Sequence, residues 1–282
     1  STQVVNFLPI LRFLPGDLFK YHRTINNVYK ANATLVEPAI EEHLKNYDED
    51  NTDDFISCYL KEMKKNEKAG MASNIDLINL KMAIGDLFVA GTGTISTTIL
   101  WSILYFLHYP QVYQKCYKEI QDVVGSGRPP SVKDRVNMPY FEAFNMEILR
   151  HANIVLVGVP RAVEEDTVYQ GHFIPKNAII LPNVDSVLAS DEIWGDARAF
   201  RPERFLDEMG RVIHREEWIP FSMGRRNCLG EGLAKMEQFL FLTTLVQRFD
   251  FQVEDPQNIP PLKGNYGITH APLKYNVQAI PR

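Results

Sequence analysis

The stretch Phe221–Gly232, FSMGRRNCLGEG, decides how the rest of the chain is read. A lone cysteine, Cys228, follows Arg225 and Arg226 and lies between Gly224 and Gly230. An apolar run over 232–249 begins just beyond it and has the composition of a helix. The free N–H groups and positive dipole end of that helix point back toward the sulfur. Together with the two guanidiniums they favour the thiolate form. The glycines let the backbone turn tightly and come close to a flat ligand. A single cysteine is more often a small buried residue than a ligand. Here the spacing Phe-x-x-Gly-x-Arg-x-Cys-x-Gly argues for a single axial ligand to a large metal cofactor.

Composition is compatible with that reading and excludes several others. Hydrophobic residues make up 45% and charged residues 23% of the chain, which is enough for a sizeable core and argues against disorder. Thirty basic and 35 acidic residues give a net charge of −5, so nucleic acid is not the expected partner. The 3 cysteines, Cys58, Cys116 and Cys228, are odd in number and far apart, which excludes a disulfide framework or a multi-cysteine metal site. The first residues, STQVVNFLPI, carry no signal-peptide pattern and read as the interior of a longer chain. Asn32-Ala33-Thr34 is a glycosylation triplet of a kind that arises often by chance. FLPILRFLPG reads as a core-packing loop, with a membrane-contacting or substrate-channel loop as the alternative.

Working outward, the pattern is mainly α-helical with a small β component. Helices are expected over 35–44, 55–65, 111–124, 140–151 and 232–249, and short strands over 167–183 and in the last thirty residues. The segment 187–224 reads as aromatic loop. The longest periodic stretch runs from about 74 to 109, and at roughly 1.5 Å per residue it would span about 50 Å. Its part Met82–Leu107 carries one charge, Asp86, and is long enough for a membrane span. Its middle, AGTGTISTT, is small and polar, which fits better a helix buried through a globule with a ligand against its centre. GTGTIS also touches a dinucleotide fingerprint, but the third glycine is replaced by Ser96 and no acidic residue follows at the required distance. No repeat or linker divides the chain.

Phe221, Gly224, Arg226, Cys228 and Gly230 resemble the haem-binding signature of the cytochromes P450. Three further family motifs follow the same order. EILR supplies Glu147 and Arg150, three apart and on one helix face; FRPERF supplies Arg204; AGTGTIS resembles the oxygen-binding groove of the long central helix. IPKNAIILPN and GEGLAKMEQFLF are similar to the microsomal family-2 enzymes, closest to the fatty-acid-hydroxylating 2U branch. The resemblance covers essentially the whole chain and implies the C-terminal portion of a single cytochrome P450 domain over 1–282, with the N-terminal part absent.

The resemblance implies haem b held by Cys228 as proximal thiolate, with Arg226 and Arg161 on the haem propionates. Glu147, Arg150 and Arg204 are implied to be a structural ion-pair network. Thr94 matches the threonine whose hydroxyl helps deliver protons during oxygen activation. The residue before it is usually acidic and here is Gly93. Either water or another polar group substitutes for that acid, or the enzyme prefers peroxides, or Gly93 is a sequence variant. Substrate contacts are implied at Phe88, Ala90, Gly91, Val155, Val159 and Ile268, an apolar set suited to lipophilic substrates such as long-chain fatty acids. The implied activity is a monooxygenase drawing electrons from NADPH through NADPH-cytochrome P450 reductase, with cytochrome b5 as a further candidate partner. Arg225 and Lys235 are candidate docking charges. The implied location is the cytoplasmic face of the endoplasmic reticulum membrane, for the full-length protein. Two rivals are a peroxide-using thiolate-haem enzyme and a non-catalytic remnant; an integral membrane protein using 82–107 as its span is a third.

Overall fold

The computed structural model describes residue 5, residues 8–267 and residues 269–282. Ile268 and part of the first ten residues lie outside the described residues. Two compact units divide at Ala90/Gly91. Helices dominate: α1 (Tyr21–Ala31), α2 (Glu37–Lys45), α3 (Phe55–Lys68), α4 (Leu77–His108), α5 (Pro110–Val123), α6 (Pro139–His151) and α7 (Glu231–Arg248). The strands are short: β1 (Arg161–Ala162), β2 (Thr167–Tyr169), β3 (His172–Ile174), β4 (Ile179–Ile180), β5 (Phe249–Gln252), β6 (Gly264–Asn265), β7 (Ala271–Pro272) and β8 (Gln278–Pro281). They form antiparallel pairs β1–β4, β2–β3, β5–β8 and β6–β7.

Helix boundaries follow local chemistry. Pro110 and Pro139 each open a helix, where a missing N–H costs nothing because the first turn has no acceptor for it. Tyr109, the residue before Pro110, has φ −125° and ψ 67°, outside the helical region that a following proline disfavours, so α4 and α5 stay separate helices. Asp54 caps α3 by accepting the Ser57 N–H at 2.9 Å. Gln170 and Gly171, at φ 49° and 81°, turn β2 into β3 with the paired positive angles of a tight hairpin.

In the first unit, α2, α3 and the opening turns of α4 bury Val36, Ile40, Leu60, Met63, Leu80 and Ile84. In the second, the closing turns of α4 pack with α5, α6 and α7 around Trp101, Leu104, Phe106, Phe141, Phe144 and Phe239. Trp101 Nε1 donates to the His270 carbonyl at 2.8 Å, fastening α4 to the chain before β7. Trp101–Phe106 is buried; nearer the middle of α4, Ile95, Thr97 and Thr98 are buried while Phe88 is 65% and Val89 80% exposed. Ala90, Gly91 and Gly93 offer little side chain for a neighbour to pack on, and no atom lies within 4 Å of where a Cβ on Gly91 or Gly93 would stand. By length and composition α4 could cross a membrane, but its closing turns are core of the second unit. The segment expected as loop also contains one-turn helices at Asp185–Leu188 and Asp191–Trp194 and a 3₁₀ turn at Pro202–Phe205, all too short to leave a periodicity.

A clasp joins α2 to α3. His43 Nδ1 lies 2.7 Å from the Ala39 carbonyl and Nε2 lies 2.8 Å from Asp54 Oδ2. Neither a carbonyl nor a carboxylate donates, so both ring nitrogens must, and the ring is an imidazolium. The Asp54 hydrogen bond is the main force raising the His43 pKa above 6.5. The Ser57 N–H, followed by His43, holds Asp54 below 3.8. A raised folded pKa gives stability that is present below 6.5 and lost as pH rises through the folded value. A depressed one gives stability present above 3.8 and lost as pH falls through the folded value. We expect His43 to titrate above 6.5 by NMR and to drop back toward it in Asp54→Asn; a midpoint at or below 6.5 in the unaltered chain would refute the clasp.

Candidate functional site

The Cys228 loop is closed by backbone hydrogen bonds before any ligand is considered. Cys228 N–H donates to the Phe221 carbonyl at 2.9 Å, and Asn227 N–H to the Gly224 carbonyl at 3.1 Å. The turn between them needs left-handed backbone: Ser222 has φ 64° and Gly224 φ 74°. Gly224 accepts this without cost because it has no Cβ. Helix α7 starts three residues after the cysteine, with Gly230 at its N-cap and the Ala234 N–H donating to the Gly230 carbonyl at 2.8 Å. The Cys228 side chain is exposed, and the adjacent Leu229 is 97% exposed. No atom lies within 4 Å of a Cβ placed on Gly224 or Gly230. Arg161, from β1, reaches across 65 positions of sequence and donates from Nη2 to the Arg226 carbonyl at 3.0 Å. Arg161, Arg226 and Cys228 are thus brought to one place. Phe221 is half-buried and meets the Trp218 ring edge-on at 6.1 Å between centroids.

Glu147, Arg150 and Arg204 are brought together as well. Glu147 on α6 is fully buried and Arg150 nearly so. Arg150 grips Glu147 in a fork, Nε to Oε2 at 2.7 Å and Nη2 to Oε1 at 2.9 Å. Arg204 Nε adds a bond to Oε1 at 3.1 Å, and the Arg201 N–H a further one at 2.9 Å. The remaining guanidinium hydrogens go to carbonyls: Arg150 to Leu188 at 2.7 Å and to Ala197 at 2.9 Å, Arg204 to Ala199 at 2.9 Å. Arg204 Nη1 also meets Asp196 Oδ1 at 2.8 Å. With the Arg201 guanidinium on Asp196 at 3.0 Å, three cations face two carboxylates. Among the described residues no buried side-chain N or O atom lacks a partner, the condition under which a buried ion pair is tolerable. The indole of Trp194 lies 5.1 Å from the Arg150 guanidinium carbon and 5.8 Å from that of Arg204.

Asp196, Trp194 and Trp218 carry no signal that sequence reasoning could have used, because each acts through a loop position. His151, at the end of α6, was missed too, because its partner Arg198 lies in a loop. Its Nε2 lies 2.9 Å from the Arg198 carbonyl, so it must donate there, and its Nδ1 accepts from the Tyr105 hydroxyl at 2.6 Å. Burial lowers the His151 pKa, in keeping with that neutral ring.

On α4 the Thr94 hydroxyl lies 3.4 Å from the Gly91 carbonyl, and Thr98 and Ser102 donate to the carbonyls four residues earlier at 2.9 and 2.8 Å. Gly93 sits in regular helix. Of the expected substrate contacts, Phe88 and Ala90 are exposed residues of the first unit. Gly91 and Val155 are part-buried and Val159 is 73% exposed, all in the second unit. Ile268 lies outside the described residues. Lys235 is not the free docking charge expected of it: its Nζ pairs with Glu231 at 2.6 Å and sits 4.8 Å from the centre of the Trp218 ring. Arg225 is exposed.

The profile of the family Cytochrome P450 matches residues 1–279, and the chain belongs to that family. Among its relatives, human cytochrome P450 2U1 is 40% identical over 274 residues, which are 97% of this chain and 50% of the human protein. Human cytochrome P450 2J2 is 38% identical over 283 residues, 100% of this chain and 55% of that one. Rat cytochrome P450 2E1 is 37% identical over 278 residues, 98% and 55% respectively. The chain spans about half the length of the curated relatives it matches. Haem is the cofactor this family implies. The residues fit it: one accessible thiol on a hydrogen-bonded loop, open space beside its glycines, and two guanidiniums at hand for carboxylates.

Removing one partner of the buried network should be severe. Glu147→Gln leaves two guanidiniums without their carboxylate and should cost about 3–5 kcal/mol, read from the urea midpoint; a loss under about 1 kcal/mol would contradict the geometry. Asp196 is held down to about 2 by its hydrogen bonds to Arg201 and then Arg204. Its contribution is therefore present above 3.8 and lost as pH falls from there toward about 2. Asp196→Asn should flatten the acid limb of a stability–pH curve in that window and nowhere else.

Proposed function

We propose that this chain is the cysteine-bearing portion of a haem-thiolate monooxygenase. In this reading the whole protein places one oxygen atom from O₂ into a lipophilic substrate, with a long-chain fatty acid as the first candidate. The observation that carries the reading is the Cys228 loop: an exposed thiol, held by its own backbone bond to Phe221, with Arg161 drawn to the same loop from β1. Haem bound there supplies the oxygen activation and the electron acceptance that no side chain can.

The chain's own residues take the remaining roles. Cys228 would hold the haem iron through its sulfur, with Arg225 and Arg226 three and two residues before it in the same loop. Arg161 and Arg226 bind the propionate carboxylates. Phe221, Gly224 and Gly230 shape the loop so that the sulfur faces the metal. Glu147, Arg150 and Arg204 hold α6 to the chain that leads into that loop and touch no substrate. Thr94 presents a hydroxyl that passes a proton at its Oγ1. Phe88, Ala90, Gly91, Val155, Val159 and Ile268 are the proposed apolar contacts for substrate. Electrons come from NADPH through NADPH-cytochrome P450 reductase, with cytochrome b5 as a second donor, and Arg225 is the exposed charge offered to such a partner. The full-length protein is placed on the cytoplasmic face of the endoplasmic reticulum membrane, and both units belong to one catalytic domain.

One observation favours a second reading. Gly93 stands where the family has an acid, and nothing packs within 4 Å of its Cβ position, so packing does not compel the glycine. A hydroperoxide arrives already reduced by two electrons and gives an alcohol with no net uptake of protons, so an enzyme that uses one has less need of a relay. Gly93→Asp should therefore raise turnover with O₂, NADPH and reductase relative to turnover with cumene hydroperoxide. An unchanged ratio would remove Gly93 from the argument.

The haem reading is tested by the reduced, carbon-monoxide-bound difference spectrum beside Cys228→Ala. A strongly red-shifted thiolate band that the substitution abolishes is the expected result. A band that survives it would exclude Cys228 as ligand. A chain that binds no haem would turn the reading toward a non-catalytic remnant.

A further inference from the structure

We propose that Trp218 is a positioning residue that clamps the Cys228 loop to the buried charge network. Its indole has contacts on every side that matters. Nε1 donates to the Met146 carbonyl on α6 at 2.9 Å, one residue before Glu147. One ring edge meets Phe205, next to Arg204, with centroids 6.3 Å apart. On the loop side it meets Phe221 at 6.1 Å, nearly perpendicular at 72°. Phe221 is the residue whose carbonyl accepts the Cys228 N–H at 2.9 Å. From α7, the Lys235 ammonium lies 4.8 Å from the Trp218 ring centre and 5.5 Å from that of Phe221. That ammonium is itself held by Glu231, the first residue of α7, at 2.6 Å. Three segments that carry the network, the cysteine and the helix behind it therefore meet on one ring.

The physical argument is one of relative rigidity. The loop is exposed from Met223 to Leu229, so little of its own burial holds it in place. Its backbone bonds fix its shape but not its position relative to α6. Trp218 supplies that position, because its part-buried indole hydrogen bond is directional and edge-on ring pairs tolerate little rotation. Lys235 adds a cation over both ring faces, which explains why it is spent inside the molecule. The position of Phe221, and with it the carbonyl that accepts the Cys228 N–H, is set from the network side. The effect of this clamp on metal ligation rests on the haem-thiolate reading; the clamp itself does not.

Amide hydrogen exchange of the chain as it stands, without haem, tests the clamp directly. Trp218→Ala should speed exchange in peptides covering 221–230 by roughly 5- to 30-fold while α5 peptides keep their rate. Unchanged exchange over 221–230, or an equal rise in α5, would overturn the proposal. Should Trp218→Ala fail to fold, Trp218→Phe carries the test: it keeps the ring contacts and drops only the bond to Met146. A smaller rise confined to 221–230 is then expected, and exchange equal to the parent would overturn the clamp. In haem-loaded protein the same variants should lose part of the red-shifted carbon-monoxide band at unchanged haem content. A parent with no such band would sink the haem reading and leave the exchange comparison standing.

Discussion

The Glu147 carboxylate, buried between the guanidiniums of Arg150 and Arg204, is the constraint on which the second unit depends. An ion in that position has lost its water, and only a complete set of partners offsets the loss. Four N–H donors reach its two oxygens, from Arg150 twice, Arg204 and the Arg201 backbone. Completing the set dictates the path of the chain. Leu188, Ala197 and Ala199 must turn their carbonyls inward to accept what the arginines have left to give. A segment of short turns with almost no regular structure is thereby fixed as firmly as a helix.

That network does its work at a distance from the cysteine. The loop that carries Cys228 is nearly all exposed, as a loop must be if its sulfur is to meet something larger than a side chain. Exposure and a fixed geometry are opposed requirements, since burial is the usual source of rigidity. The chain reconciles them by dividing the task. Backbone bonds and left-handed turns at Ser222 and Gly224 give the loop its shape. The aromatic contacts behind it, from Phe205 through Trp218 to Phe221, connect it to the buried charges.

Much of this was legible in the sequence because the relevant residues sit in short, rigid spacings. The Phe-x-x-Gly-x-Arg-x-Cys-x-Gly pattern encodes a turn that only glycine makes cheaply, and Glu147 and Arg150 are neighbours on any helix. The helices from α2 onward were visible from their apolar periodicity, to within a few residues at each end, whereas α1 (Tyr21–Ala31), which buries no residue, was not. The partners reached through loops were not visible. Asp196 and Trp194 acquire their meaning only when the 185–205 segment folds back on α6, and Lys235 looked like a surface charge because its two ring partners lie some fifteen residues upstream. Pairwise chemistry across a loop leaves no period for a sequence to display.

The middle of α4 shows a different case, in which a sequence feature was seen and part of the helix surface stays open. Small residues from Ala90 to Ser96 suggested a helix buried against a ligand. Ile95, Thr97 and Thr98 are buried, whereas the helix is open at Ala90 and Gly93, where there is little side chain. The same deficit leaves open space at Gly91 and Gly93, so a side chain could stand at either position without displacing anything. Sterics therefore do not explain why Gly93 is a glycine. An acid there would sit one residue from Thr94, and under the proposed function its absence leaves that hydroxyl without a neighbouring carboxyl as a proton source. In the monooxygenase reading the consequence of Gly93 falls on the source of protons beside Thr94, in addition to the usual cost of about 0.8–1 kcal/mol, relative to alanine, for a glycine inside a helix.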